Sequence, residues 1–287
     1  MSNENIKNGN PLIMIHSVYQ SLTKAEQKVA DVILVDSKES MYYSVTDLAE
    51  KANVGETTVI RFCRKLGFRG YQEFKLAIAQ NIAGIVDRAS EELRETDDFN
   101  ELAQKITLHN KQVIKETLSL IQESQFQKAV DAIVKARRLY FFGVGSSGMT
   151  ASDAQYRFMR LGFNAECATD AHIIAMNCAL VSEQDVVVGI TSSGSTKDLV
   201  DLVELAKEKG AFIICITNHA KSPITQYADA ILLAAARENP LQGGAFSSKI
   251  GQLHVLDILT TIISIQQKEQ SQLSLEKTAK AVLDRLF

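Results

Sequence analysis

Tyr140-Phe141-Phe142-Gly143-Val144-Gly145-Ser146-Ser147-Gly148 is an apolar run that ends abruptly in glycines and hydroxyls. The aromatic part, Leu139 to Phe142, carries no charge, as suits a strand buried on both faces of a parallel sheet; the stretch that follows, Met149 to Leu161, has a helical pattern. Glycine lets the backbone turn tightly and approach a ligand closely, while the free amides at the next helix's N-terminus favour an anion. A phosphate is the expected guest of this loop.

The alternation continues outward from this stretch. Strands are expected near 164–168, 185–190, 211–216 and 230–234, and helices from 171, over 197–209 and over 247–265. Strands alternating with helices imply a doubly wound, mainly parallel five-stranded sheet flanked by helices, with ligands at the C-terminal ends of the strands. The third strand runs into Thr191-Ser192-Ser193-Gly194-Ser195-Thr196, a second glycine-bearing loop loaded with hydroxyls. Two such loops at one sheet edge make one pocket. Ser192, Ser193, Ser195 and Thr196 can donate to phosphate oxygens beside the amides around Gly145 and Gly194, and Ser146 and Ser147 can add to them or hold a sugar.

Gly143 to Gly148 also spells Gly-x-Gly-x-x-Gly, and Asp170 lies about twenty residues further on, as in a dinucleotide fingerprint. The second strand is short, however, and Asp170 is as well placed to cap the following helix. The second hydroxyl loop would also be unexplained by a nucleotide. NAD(H) binding is therefore the third reading, and no cofactor is expected.

With 287 residues and 46% hydrophobic content, the chain can bury two ordinary cores. A formal net charge of -3 means that any nucleic-acid contact must come from a local basic patch. Cys63, Cys167, Cys178 and Cys215 are scattered in apolar stretches and read as reduced core residues. The polar segment 1–10 reads as a disordered tail without the apolar core of a signal peptide, and no run approaches about 18 apolar residues. A cytoplasmic protein without membrane contact is expected.

The N-terminal third carries such a basic patch. Thr23-Lys24-Ala25-Glu26 has the form of a capping box opening a helix to about Val35. Two short helices follow, 45–52 and 56–66, separated by Asn53-Val54-Gly55, and the sharp corner reads as a helix-turn-helix. From Arg61 to Lys75 there are five basic residues against one acidic, Glu73. Thr57, Thr58 and Arg61, early on the second helix, are placed for base edges; Arg64, Lys65, Arg69 and Lys75 are placed for phosphates. A closing helix should run from Tyr71 to Ile85. Asp87 to Glu101 is charged and poor in large apolar residues, which puts a linker over 81–104 between domains at 1–80 and 105–287.

Together these features resemble the RpiR-type bacterial regulators, which join an N-terminal helix-turn-helix to a C-terminal sugar isomerase (SIS) domain. The resemblance is carried by Val59 to Phe68 with Gly70-Tyr71, by Gly143 to Ser147, by Ser192 to Thr196, and by Phe246-Ser247-Ser248-Lys249-Ile250-Gly251-Gln252-Leu253. It implies a homodimer or tetramer, assembled through the SIS domain, that binds operator DNA and answers to a phosphorylated sugar or amino sugar. Gly55 stands where the family often has a serine cap, and Thr191 where the second loop often begins with serine. Because SIS domains also occur in isomerases and lyase-type enzymes, catalysis is the alternative. Proton transfer between adjacent sugar carbons needs a base, for which Glu238, also a candidate sugar contact, and His254 are the only residues placed near the pocket. A DNA reader fused to a metabolite pocket explains both halves of the chain, so a regulator without catalytic activity is the expectation.

Overall fold

The computed structural model describes residues 11–86, 97–235 and 246–283; the N-terminal segment 1–10, most of the charged segment from Asp87, and Glu238 lie outside the described residues. The described chain divides into two compact units, 11–107 and 108–235 with 246–283.

The first unit is helical. It comprises α1 (Pro11–Val18), a short 3₁₀ turn (Tyr19–Ser21), α2 (Lys24–Val35), α3 (Ser37–Ser40), α4 (Val45–Lys51), α5 (Glu56–Lys65) and α6 (Tyr71–Val86). Hydroxyls and carboxylates set the starts. The Thr23 hydroxyl accepts from the Glu26 amide while the Glu26 carboxylate accepts from the Thr23 amide, and Ser44 and Asp47 repeat this reciprocal box before α4. Val29, Ile33, Leu48, Val59, Phe62 and Phe74 interdigitate in one core, with Phe62 and Phe74 edge to face at 5.8 Å. The corner between α4 and α5 turns at Asn53, whose φ of 51° is the left-handed conformation that asparagine tolerates. α5 ends in a Schellman motif: Gly67, at φ 91°, donates to the Arg64 carbonyl and Phe68 to the Cys63 carbonyl.

The second unit begins with the latter part of α7 (Phe99–Leu120). It continues through α8 (Glu123–Lys135), β1 (Arg138–Gly143), α9 (Ser146–Arg160), β2 (Ala165–Ala168), α10 (Ala171–Leu180), β3 (Asp185–Ile190), α11 (Lys197–Glu208), β4 (Phe212–Thr217), a 3₁₀ turn (Pro223–Gln226), β5 (Ala230–Leu233), α12 (Phe246–Gln266) and α13 (Lys268–Leu283). The five strands are all parallel, in the order β2-β1-β3-β4-β5. Successive side chains of a strand point to opposite faces, and β1 shows the consequence. Leu139 and Phe141 enter a core with α8, α9 and α12, whereas Tyr140 and Phe142 enter a second core with α10 and α11. Val186, Val188 and Ile190 against Val187, and Ile214 and Ile216 against Ile213 and Cys215, repeat the division. A sheet buried on both faces explains why these strands read as unbroken apolar runs.

Three helices go beyond the sequence expectation. α3 is a single turn capped by Asp36, too short for periodicity to register, and α13 is mostly exposed and has no apolar stripe. α1 carries no acidic residue in its first turn to mark its start. The expected linker overlaps the end of α6 and the start of α7, with 87–96 outside the described residues. The four cysteines are free, and burial pushes the Cys178 and Cys215 thiols up to about 12. Among the described residues no helix is long and apolar enough to cross a membrane.

Candidate functional site

In the first unit, α5 presents Thr57, Arg61, Arg64 and Lys65 to solvent, with Arg69 beyond its end. Arg64 Nε donates to the Arg69 backbone carbonyl at 3.4 Å, which ties the Arg64 side chain to the turn after α5. Arg69 itself is exposed and only 3.9 Å from Glu73. Lys65 is less free: its ammonium donates to the Ser21 carbonyl at 2.6 Å and lies 3.1 Å from Glu26. Burial by itself would raise the Glu26 carboxyl, but hydrogen bonds from the Thr23 amide and Lys65 outweigh it and hold the group below its ordinary value.

Two residues of the expected DNA face are placed elsewhere. Lys75 is only 8% exposed and its ammonium donates to the Tyr43 carbonyl at 2.9 Å, so it ties α6 to the segment before α4. Its position four residues after Tyr71 and four before Ala79 put it on the buried stripe of α6, a signal that its charge obscured. Thr58 is 7% exposed, four residues before the core residue Phe62, and accepts from Arg61 Nη2 at 3.4 Å. It therefore steadies Arg61 rather than facing outward.

In the second unit the order β2-β1-β3-β4-β5 reverses direction between β1 and β3, and the loops that follow these two strands flank the switch point. Each glycine of the first loop has a steric reason. A Cβ on Gly143 would lie 2.6 Å from the Ser147 carbonyl oxygen, Gly145 has φ 63°, and a Cβ on Gly148 would lie 2.8 Å from Thr169. Tight strand-to-helix packing thus produces the Gly-x-Gly-x-x-Gly spelling. Asp170 caps α10, accepting from the amides of His172 at 2.9 Å and Ile173 at 3.1 Å. α9 starts at Ser146 with no side-chain cap, which leaves its first amides open at the loop.

The second loop is held from several sides. The Ser192 carbonyl accepts from the Asn218 amide at 3.1 Å and from Thr217 Oγ1 at 3.3 Å. Ser193 and Ser195 close a turn on each other: the Ser195 amide donates to Ser193 Oγ and the Ser195 hydroxyl to the Ser193 carbonyl. The Thr191 and Thr196 hydroxyls meet at 3.2 Å. Gly194 has φ 64°, and its carbonyl accepts from the Ile224 amide. α11 then starts after Thr196, again without a side-chain cap.

Two polar residues of the segment from Phe246 to Leu253, Gln252 and Lys249, to which sequence reading assigns no site role, complete the surroundings. Gln252, on α12, is 2% exposed; its Nε2 donates to Ser192 Oγ at 3.1 Å and its Oε1 accepts from Thr150 Oγ1 at 3.0 Å. The signal for Gln252 was a polar residue on the same helix stripe as Val255, Leu256 and Leu259. Lys249 donates to the Met149 thioether at 3.2 Å, which brings a cation to the first turns of α9. His254 is half-buried and, two residues after Gln252, projects from the far side of α12. A cavity of about 280 Å³ lined by Tyr156, Arg160, Thr260, Ile265 and Leu275 lies at the C-terminal end of α9, the opposite end of that helix from Ser146 and Ser147.

A helix-turn-helix unit, together with a parallel sheet whose switch point carries two hydroxyl loops, defines a DNA-binding regulator with a sugar-isomerase-type domain. Comparison with known proteins places it further. Residues 9–84 match the helix-turn-helix domain of the rpiR family and residues 132–262 match the SIS domain. The chain is 37% identical over 284 residues to an HTH-type transcriptional regulator of Haemophilus influenzae, covering 97% of this chain and 98% of that protein. It is 32% identical to the HTH-type transcriptional regulator HexR of Escherichia coli, covering 97% and 96% respectively. Among solved structures, the Vibrio vulnificus NanR protein complexed with ManNAc-6P is similar over 96% of this chain and 99% of that one, with a TM-score of 0.88 and 29% identity. The chain belongs to the RpiR family of helix-turn-helix transcriptional regulators with a SIS domain. It is a regulator, as these relatives are named.

Proposed function

We propose that this regulator controls genes of carbohydrate catabolism in response to a phosphorylated sugar or amino sugar bound between the loops after β1 and β3. The observation that carries the reading is the pair of hydroxyl-bearing loops, each opening an uncapped helix, at the switch point between β1 and β3. Gly145, Ser146, Ser147, Ser192, Ser193, Gly194, Ser195 and Thr196 supply amides and hydroxyls to the phosphate and sugar. The NanR complex makes N-acetylmannosamine 6-phosphate the first ligand to test. In the other unit, Thr57 and Arg61 read base edges, while Arg64, Lys65 and Arg69 hold phosphates. The protein acts as a homodimer or tetramer joined through its SIS domains, and effector binding shifts operator affinity by altering the separation of paired recognition helices.

A thermal-shift screen against phosphorylated hexoses and amino sugars, with NAD(H) and unphosphorylated sugars as controls, tests the ligand class. A ligand of the native state must raise the melting temperature. A response to one sugar phosphate, lost in Ser193→Ala/Thr196→Ala with DNA binding kept, is the expected result. A response to NAD(H) alone would overturn the reading.

A further inference from the structure

A buried glutamine at the rear of a ligand loop requires an explanation. Gln252 is 2% exposed and lies among Val255, Leu256 and Leu259, a setting in which a leucine or methionine would fill the space without a polar group to satisfy. Both ends of its amide are engaged, and the direction of each bond matters. The Thr150 hydroxyl donates its one proton to Oε1, which turns the amide nitrogen toward loop two. That nitrogen then donates to Ser192 Oγ. A serine oxygen that receives a proton from behind keeps its own proton for another acceptor.

Ser192 has little other freedom. Its carbonyl accepts from both Thr217 Oγ1 and the Asn218 amide, so the residue is anchored to the end of β4 while its side chain is anchored to α12. Thr150 belongs to α9, the helix whose first turn contains Ser146 and Ser147 of loop one. The chain Thr150, Gln252, Ser192 therefore joins the two ligand loops through the interior of the domain.

We infer that Gln252 is a positioning residue of the effector site: the relay from Thr150 through Gln252 pre-sets Ser192 as a hydrogen-bond donor to an anionic phosphate oxygen and keeps the two loops in register. The inference rests on the phosphate-binding reading above. It adds a residue outside the glycine and serine loops, and it names the feature of the ligand, a hydrogen-bond acceptor bearing negative charge, to which that residue responds.

The test is a titration of the full-length protein with inorganic phosphate, followed by thermal shift, with chloride at equal ionic strength as control. Loss of one hydrogen bond to a charged acceptor weakens binding on the order of tenfold, which is the expectation for Ser192→Ala. Gln252→Met, which keeps the volume but not the amide, should weaken phosphate binding by about threefold to tenfold. The double variant Ser192→Ala/Gln252→Met should be no worse than Ser192→Ala alone, because the glutamine acts only through that hydroxyl. Gln252→Glu should lose at least as much as Ser192→Ala, since an ionised carboxylate accepts the Ser192 proton and turns it away from the ligand. Thr150→Val is nearly isosteric and decides the matter if the Gln252 variants fold poorly: weakened phosphate binding with unchanged melting in chloride supports the relay.

Phosphate binding at the wild-type level in Gln252→Met and Thr150→Val, or a double variant with additive losses, would overturn the inference alone. A wild-type protein that responds to neither phosphate nor any sugar phosphate would overturn the functional reading beneath it.

Discussion

The hydroxyl of Ser222 stands directly against Cα of Gly194, where any Cβ would collide with it, and Gly194 adopts φ 64°. Loop two can therefore close over the segment following β4 only with glycine at this position. Gly194→Ala should cost about 1 to 3 kcal/mol in stability from the backbone conformation and displaced contact together. The melting temperature should fall and the sugar-phosphate response should disappear, with DNA binding retained below the new melting point. An alanine variant with wild-type melting and ligand response would show that the loop accommodates a side chain.

Arg64 and Lys75 have the same sign of charge and opposite placements, which gives a direct comparison. Arg64→Ala should reduce the slope of log DNA affinity against log salt by about 0.9, the release of one phosphate contact. Lys75→Met should leave that slope unchanged and instead lower the melting temperature, because its ammonium is bound to the Tyr43 carbonyl inside the bundle. Equal changes of slope in the two variants would place Lys75 at the DNA after all.

Asp185 begins β3 with its carboxylate out of solvent; Arg137 donates to it through Nε at 3.0 Å and Nη2 at 2.7 Å, and Ser182 adds its amide and hydroxyl. Burial alone would raise this carboxyl, but the bonds from Arg137 and Ser182 prevail and hold it below the ordinary aspartate value. A carboxyl depressed in the folded state contributes stability above its unfolded pKa, and that contribution is lost as pH falls through the folded value. Stability should therefore decline with acidification below about pH 4, the unfolded aspartate value. Asp185→Asn should be less stable at neutral pH and show a shallower acid limb in denaturant titrations at stepped pH.

Gly55 is the N-cap of α5 and makes no side-chain capping bond. Its φ of -79° suits any residue, and a Cβ there would meet only Thr57 Oγ1 at 3.7 Å. Gly55→Ser should therefore stabilise the recognition helix by about 0.3 kcal/mol, visible as a small rise in the denaturation midpoint. A fall in the midpoint would mean that the serine cannot reach the amides of α5.

Much of this site was legible in order along the chain. The loops after β1 and β3 announce themselves because glycine and serine follow abruptly on apolar strands, a contrast that needs no partner to be seen. The capping box of Thr23 and Glu26 and the corner at Asn53 were visible for the same reason. The pairing of Gln252 with Thr150 was not, since it joins positions 102 residues apart; the polar residue on the apolar stripe of α12 marks Gln252 but says nothing of its partner. Ser222, whose hydroxyl dictates glycine at 194, likewise gives no sign of its partner.

The sequence by itself determined the two-part organisation, the parallel α/β character of the second unit and the chemistry of its loops. These follow from periodicity and local backbone preference, which act over a few residues. Only the tertiary structure decided which polar side chains face inward. Lys75 and Thr58 carry surface-type groups on buried helix positions: the Lys75 ammonium is satisfied by the Tyr43 carbonyl, 32 residues back in the chain, and the Thr58 hydroxyl by the Arg61 guanidinium one turn further along α5. A buried polar group is tolerated only when paired, and pairing is a property of the folded chain rather than of its local order.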